Sequence, residues 1–188
     1  MAVQITHMTN EAFRAYENLP EHAHHSLELL EGIPYHMPSP SPLHQKIVFI
    51  LSGLLYLYLT QHPLGDAYGD NLDYELAEGI ILKPALSFVS KERAPTLPKR
   101  YTIAPDLVVE VMSPTNSHAE ISKKIETFFR HGTRLAWVIE PEDRLVRVYR
   151  PETDGSINVR VLTATDTLEG GEVLPAFGVT VSDLFPTR

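Results

Sequence analysis

The chain has 188 residues, of which 43% are hydrophobic and 21% charged, and its formal net charge is −8. This composition excludes an intrinsically disordered chain and argues against a broadly basic protein that coats nucleic acid. The absence of cysteine excludes disulfides, cysteine-ligated metals and thiol nucleophiles. Because a cysteine-free chain fits a reducing compartment and residues 1–18 contain no continuous apolar stretch, we expect a cytoplasmic protein.

The N-terminal part of the chain predicts one short helix followed by a loop. The helix covers residues 10–19, and Thr9 is a good residue to cap it. His22, His24 and His25 follow in an acidic stretch. Histidines at this spacing could share a metal ion, but a solvated loop is the simpler interpretation.

A hairpin and a long helix come next. Residues 27–30 and 33–37 predict two strands around a tight Glu-Gly turn. The helix begins after a proline-rich segment and ends near Gln61. Its apolar run, residues 47–59, is shorter than the roughly 20 residues of a membrane span, so we expect no membrane association. The run is typical of a helix that is buried in the domain or in the interface of a homodimer.

Beyond this helix the apolar residues follow the spacing of strands. Six strands are predicted: residues 67–76, 80–89, 103–112, 135–139, 145–149 and 157–163. A second amphipathic helix over residues 117–131 follows Ser-Pro-Thr-Asn, a sequence typical of a helix start. It links two strands, which a right-handed crossover makes parallel. We therefore expect an α/β fold, a mixed β-sheet core flanked by helices, in one domain over residues 1–188.

Glu110 is the most unusual residue of the predicted sheet. Its neighbours Leu107, Val108, Val109 and Val111 make the strand apolar on both faces, which is typical of a central strand. A carboxylate there is costly unless it is paired, protonated or bound to a cation. We therefore predict a raised pKa for Glu110 and a candidate site around it. A structural salt bridge is the alternative interpretation.

Two other charged residues lie close to this strand in the prediction. Asp106 shares a face with Glu110, but the two are about 13 Å apart at the rise of a strand, too far to hold one ion. Capping the turn after Pro105 is its simpler role. Lys124 lies beside the apolar face of the second helix, where it could neutralise an oxyanion, or simply extend over apolar packing to solvent.

Several motifs occur together in one order along the chain. They are Leu-Glu-Leu-Leu-Glu-Gly at residues 27–32, Met-Pro-Ser-Pro-Ser-Pro-Leu-His-Gln at 37–45, Pro-Asp-Leu-Val-Val-Glu-Val-Met-Ser-Pro at 105–114, Lys124, Trp-Val-Ile-Glu-Pro at 137–141 and a closing segment at 168–185. Together they resemble the Uma-type family of restriction endonucleases, within the PD-(D/E)XK nuclease superfamily. The resemblance covers about residues 26–186 and implies a restriction-endonuclease-like core.

The resemblance also implies a chemistry and a set of residues. Such nucleases use Mg²⁺, or Mn²⁺ in its place, to hydrolyse phosphodiester bonds of DNA, because a hard cation held by carboxylates activates water. On this basis Glu110 is a metal ligand and catalytic residue, Lys124 supplies the lysine, and Glu28 orients a water or completes the metal's surroundings. Asp106, Glu31 and His44 are further candidates.

One position departs from the pattern that the resemblance implies. Family members carry a Pro-Asp whose aspartate is the first metal ligand, whereas this chain has Ala85 after its proline. A methyl group cannot bind a cation, so activity should be weak or absent, whether the alanine is natural or introduced. The residues that could replace this aspartate are Asp70, Asp73 and Glu75 on the preceding predicted strand.

Three functions therefore remain open at this stage. The first is an Mg²⁺-dependent endonuclease weakened by Ala85. The second is a non-catalytic module of the same fold that binds nucleic acid or protein, and the third is a structural or regulatory homodimer built on the long helix. Four basic residues between the strands at 80–89 and 103–112 form either a nucleic-acid contact or a solvated loop: Lys91, Arg93, Lys99 and Arg100.

Overall fold

The computed structural model describes residues 7–113 and 117–186. Within these residues there are three α-helices: α1 (Asn10–Glu17), α2 (Pro42–Gln61) and α3 (His118–Arg130). The strands are β1 (Ser26–Leu30), β2 (Ile33–Met37), β3 (Gly65–Tyr68), β4 (Tyr74–Ala77), β5 (Ile80–Leu82), β6 (Leu86–Ser90), β7 (Leu107–Val111), β8 (Leu135–Glu140), β9 (Leu145–Pro151), β10 (Ile157–Leu162), β11 (Thr167–Glu169) and β12 (Gly178–Thr180). Short 3₁₀ helices cover Pro20–His22 and Val181–Leu184.

The strands form a mixed sheet and two smaller antiparallel sheets. The six-stranded sheet has the order β10-β9-β8-β7-β6-β3, and within it β7 and β8 are parallel while the other neighbours are antiparallel. A four-stranded sheet has the order β2-β1-β5-β4, and β11 pairs with β12. The α/β class, the mixed sheet and the parallel pair joined by a helix are confirmed.

Two of the predicted strands are wrong as continuous elements. Residues 67–76 divide into β3 and β4, and residues 80–89 divide into β5 and β6; in both cases the halves belong to different sheets. The first division is a turn in which Asn71 adopts a positive φ of 70°. The second falls at Pro84, which has no N–H for a ladder hydrogen bond. At each of these two divisions the chain passes from one sheet to the other.

The two long helices pack on opposite faces of the six-stranded sheet. Helix α2 buries Ile47, Val48, Leu51 and Leu55 in a cluster that includes Val109 and Trp137. Helix α3 buries Ile121, Ile125 and Phe128 against a second cluster that includes Val108, Ala136 and Val138. Strand alternation therefore turns the even-numbered side chains of β7, including Glu110, towards α3.

The helices begin where side chains satisfy their first N–H groups. Thr9 accepts from the N–H of Ala12, and Ser41 accepts from that of His44. Ser117 and Glu120 form a reciprocal capping box at α3. The predicted helix-start residues 114–116 lie outside the described residues.

Helix α2 has a second apolar face that the other described residues leave uncovered. Phe49, Tyr56 and Leu57 are 79%, 68% and 61% exposed. By length and composition alone the helix could cross a membrane, a test that core helices of water-soluble proteins also pass. One face of the helix therefore packs on the sheet, and the other has no cover among the described residues.

Candidate functional site

Glu28, Glu110 and Lys124 come together in the interior of the protein. The ammonium Nζ of Lys124 lies 2.6 Å from Oε1 of Glu28 and 2.8 Å from Oε1 of Glu110. It also donates a hydrogen bond of 3.1 Å to the main-chain carbonyl of Lys83. The three side chains are no more than 5% exposed. The structure therefore brings together three of the residues that the sequence analysis named as candidates.

Each of the three residues comes from a different element. Glu28 lies in the middle of β1, in the four-stranded sheet, and Glu110 lies near the end of the central strand β7. Lys124 lies between Ile121 and Ile125 on the buried face of α3, so its aliphatic part packs with the core. The cluster therefore joins both sheets and the crossover helix.

Ala85 lies at the junction between the two sheets and lines a cavity together with Glu110. Its main chain follows Lys83, whose N–H donates to Oε1 of Glu28. The same cavity is lined by Asp70, from the turn after β3, and by His44 and Gln45 in the first turn of α2. The positive end of that helix therefore faces the cavity. The alanine that replaces the expected aspartate lies beside the buried carboxylate.

Burial controls the charge of Glu110. It raises the pKa of the carboxyl to about 7; Lys124 opposes the rise, whereas Glu28 and Asp70 add to it. For Lys124, burial alone would lower the pKa, but the carboxylates of Glu110 and Glu28 raise it well above its ordinary value. The direction is the one expected from the sequence, a rise that Lys124 limits. The lysine carries its charge throughout the physiological pH range, while Glu110 is close to its titration point.

The carboxylate of Glu110 is chemically suited to bind a hard divalent cation. Oε1 of Glu110 is buried and has no partner with hydrogen-bond geometry among the described residues, although the ammonium of Lys124 is close enough for an ion pair. A carboxylate that lines a cavity is a ligand that a hard divalent cation accepts. Ala85 contributes no oxygen. Asp70 is the other carboxylate that lines the cavity.

Asp73 and Glu75, two of the three residues considered as substitutes for the missing aspartate, are used elsewhere. Arg14 of α1 binds Asp73 and lies 3.6 Å from Glu75. Arg100 pairs with Glu75 at 2.8 Å, and Nζ of Lys83 lies 3.3 Å from Asp73. Neither carboxylate lines the cavity that Ala85 and Glu110 share. Of the three, Asp70 is the one in position.

The remaining candidate residues divide between the cavity and other places. His44 lines the cavity, and burial lowers its pKa while Asp70 opposes that effect. Asp106 is fully buried just before β7 and accepts from the N–H of Ser90 at 2.7 Å and from Arg134. Glu31 lies in the β1–β2 turn and pairs with Lys123 at 2.6 Å on the surface. Asp106 and Glu31 therefore have structural partners outside the cavity.

The basic loop lies at the far end of β7 from Glu110. Because β6 and β7 are antiparallel, Leu86 pairs with Val109 while Ser90, just before the loop, contacts Asp106. Arg93 lies 3.6 Å from Asp106, and Arg100 is paired with Glu75 as described above. The cluster therefore lies beside the strand that carries Glu110, but strand direction places it at the opposite end of that strand.

Sequence reasoning missed the part that Lys83 plays. Its main-chain N–H and carbonyl bind Glu28 and Lys124 respectively, so it positions two of the three charged groups. The feature that could have shown this is Pro84, because a proline inside an apparent central strand predicts a break whose neighbouring main-chain groups seek other partners.

Comparisons with known proteins agree with this architecture. The profile of the Uma2 family, described as "Putative restriction endonuclease", matches residues 13–182. Among solved structures, a putative nuclease belonging to DUF820 from Anabaena variabilis superposes with a TM-score of 0.82 over 95% of this chain and 97% of that chain. The two are 23% identical in sequence, so this likeness shows the fold alone. The search of curated proteins found no match.

Proposed function

Because the chain belongs to the Uma2 family of putative restriction endonucleases, we propose that it descends from a metal-dependent endonuclease that hydrolyses phosphodiester bonds of DNA. Its site is the cavity beside Glu110, Lys124 and Glu28. The observation that carries the proposal is the buried ion-paired cluster, in which two carboxylates share one lysine and one of them, Glu110, lines the cavity. We also place the protein in the cytoplasm, because its lack of cysteine fits a reducing compartment.

Each residue of the cluster has a chemical role in this proposal. The ammonium of Lys124, held by Glu28, stays charged and can stabilise negative charge that develops on a phosphoryl oxygen. The carboxylate of Glu110, which lines the cavity, would hold a divalent cation, Mg²⁺ or Mn²⁺. A bound cation would supply an activated water and charge compensation on the phosphate. The positive end of α2 faces the same cavity and favours an anionic group there.

Ala85 makes this site incomplete. A site for Mg²⁺ usually takes one or two protein carboxylates in addition to waters and phosphate oxygens, so Glu110 alone makes a marginal site. Asp70 lines the cavity and can add negative charge, but it belongs to a turn and not to a sheet junction. We therefore expect weak cation binding and little or no cleavage by the chain as it stands.

The test is a plasmid cleavage assay with Mg²⁺ and with Mn²⁺. The chain itself should cleave poorly, whereas Ala85→Asp should bind the cation more tightly and cleave. Ala85→Asn is the matched control, because it has the same shape without the charge and should stay inactive. Combining Ala85→Asp with Glu110→Gln should abolish the gain. If Ala85→Asp shows no cleavage with either cation although it folds and binds the cation, the proposal of a nuclease fails.

A different outcome would move the first metal ligand to another residue. Strong cleavage by the unmodified chain, lost in Glu110→Gln and retained through repurification, would mean that Ala85 does not disable the site. Asp70→Asn would then be the decisive variant, because Asp70 is the other carboxylate in the cavity. Loss of cleavage in that variant would assign the missing role to Asp70.

Ala85 also supports a second candidate function, a module that binds nucleic acid or protein without cleaving it. The fold and the cavity would be retained while the metal ligand is lost. Fluorescence anisotropy with duplex and single-stranded oligonucleotides, in EDTA and in Mg²⁺, separates the two functions. Binding that is equally strong in EDTA and is unchanged in Glu110→Gln would favour the module, whereas cation-dependent binding would favour the nuclease.

We further propose that the protein is a homodimer through the uncovered face of α2. Phe49, Tyr56 and Leu57 present apolar side chains to solvent, and a second copy of the same helix would cover them by two-fold symmetry. Phe49→Lys should shift sedimentation at micromolar concentration from dimer to monomer. Leu97→Lys is the matched control, because Leu97 is 76% exposed in a loop. A wild-type monomer would exclude the dimer.

A further inference from the structure

Three histidines meet on the hairpin of β1 and β2, outside the site described above. His22 ends the 3₁₀ helix Pro20–His22, His25 immediately precedes β1, and His36 lies in β2 opposite Leu27. One imidazole nitrogen from each lies within 4.8 Å of the nitrogens of the other two. The sequence analysis named His22, His24 and His25 as a possible group. The structure instead groups His36 with His22 and His25, because strand pairing brings His36 close to them.

The surroundings of the cluster hold one of its rings in place. The ring of His22 packs on Tyr16 of α1 with a centroid distance of 4.2 Å, and the ring of His36 lies 5.2 Å from that of His22. Nδ1 of His22 is buried and has no hydrogen-bond partner among the described residues. A buried ring nitrogen normally has a partner. A metal ion would supply one.

The chemistry of three imidazoles selects a particular class of ion. Neutral imidazole nitrogen is a good ligand for Zn²⁺, Co²⁺, Ni²⁺ and Cu²⁺, whereas Mg²⁺ prefers oxygen. At zinc–nitrogen distances of about 2.0–2.1 Å, the nitrogens of a tetrahedral site lie about 3.3 Å apart. His25 and His36 are exposed, so their side chains are free to rotate through the small distance that remains. Three protein ligands leave a fourth position for water or another donor.

From these observations we propose that His22, His25 and His36 form a Zn²⁺ site that is separate from the cavity at Glu110. The two sites lie on opposite faces of the hairpin. Glu28 pairs with Tyr35 and Leu27 pairs with His36, and neighbouring residues of a strand point to opposite faces. A bound ion would fasten the segment before β1 to the hairpin that carries Glu28.

The proposal can be tested by equilibrium dialysis of the untagged chain against ZnCl₂. We expect one Zn²⁺ per chain at this site, and a rise in the unfolding temperature in its presence. His25→Gln and His36→Gln remove exposed side chains, so both variants should fold, and each should weaken binding at least about 10-fold. His24→Gln is the matched control from the same loop and should bind normally.

A second measurement identifies the ligands directly. In a two-dimensional NMR spectrum of the histidine ring nitrogens, Zn²⁺ should shift the resonances of His22, His25 and His36 and leave those of His24 unchanged. The proposal is overturned if the chain binds no Zn²⁺, or if binding survives His36→Gln and disappears in Glu110→Gln. The latter result would place the ion in the other cavity.

Discussion

Replacing Glu110 by glutamine should stabilise the protein at alkaline pH and have no effect in acid. The carboxyl is buried, and its pKa rises from 4.5 to about 7 mainly because burial disfavours the charged form. A group whose pKa is raised on folding binds a proton in the folded state at pH values where the unfolded chain has released it. Stability therefore falls as the pH rises through this interval.

The size of the effect follows from the same interval. The pKa of Glu110 rises from 4.5 to about 7, and a change of one in pKa corresponds to about 1.36 kcal/mol. Ionising Glu110 in the folded protein therefore costs about 3 kcal/mol. The whole of this cost is present above about pH 8. Glutamine has nearly the same shape and cannot ionise, so the variant avoids this cost. It loses the attraction of Glu110 to Lys124, but that attraction is already contained in the net pKa.

The assay is urea denaturation of the wild type and of Glu110→Gln at several values between pH 4.5 and 8.5. The difference in the free energy of unfolding should be close to zero at the acidic end and grow to about 3 kcal/mol in favour of the variant. Glu126→Gln, at an exposed position of the same helix as Lys124, should show a flat difference. A difference that does not change with pH, or that favours the wild type at pH 8, would refute the reasoning.

Two further substitutions test the other buried charges. Lys124→Met should destabilise the protein by about 3–5 kcal/mol at pH 8, because it leaves Glu28 and Glu110 buried without their cation; the loss, measured by urea denaturation, should shrink in acid as Glu110 protonates. Asp106→Ala should cost about 2–3 kcal/mol, since the N–H of Ser90 loses its partner, and should leave cation binding by the Ala85→Asp variant unchanged when that binding is measured by calorimetry.

The central part of the fold was predictable because local pattern and tertiary structure agree there. An apolar strand, an amphipathic helix and a second apolar strand predict the β7–α3–β8 unit, and all three elements are present. The bounds and sheet membership of the strands before this unit could not be predicted. Apolar residues continue on both sides of Pro84, so periodicity cannot show that β5 and β6 belong to different sheets.

The site was predictable in proportion to how unusual each residue is. Glu110 could be found because a carboxylate in a strand that is apolar on both faces needs a partner. Lys124 was placed beside the apolar face of its helix, and only the family resemblance gave it a role. Glu28 gives no such indication, since its proximity to Glu110 depends on how the two sheets are joined. Ala85 became informative only through the family resemblance. Asp70 gives little indication, because a turn sets its position in the cavity.

The charges of the cluster explain why an alanine at position 85 is compatible with a stable fold. Glu28 and Glu110 already outnumber Lys124, and Asp70 adds to the repulsion that raises the pKa of Glu110. Ala85 is 5% exposed, so an aspartate there would be a further buried carboxylate beside Glu110.

We therefore expect Ala85→Asp to lower the unfolding temperature in EDTA and to regain stability in Mg²⁺ or Mn²⁺, because the cation binds the folded state. The unmodified chain should show little response to either cation. Equal unfolding temperatures of the two chains in EDTA would mean that a carboxylate at position 85 does not interact with the carboxylate of Glu110. The proposal that the two residues share one cation site would then be wrong.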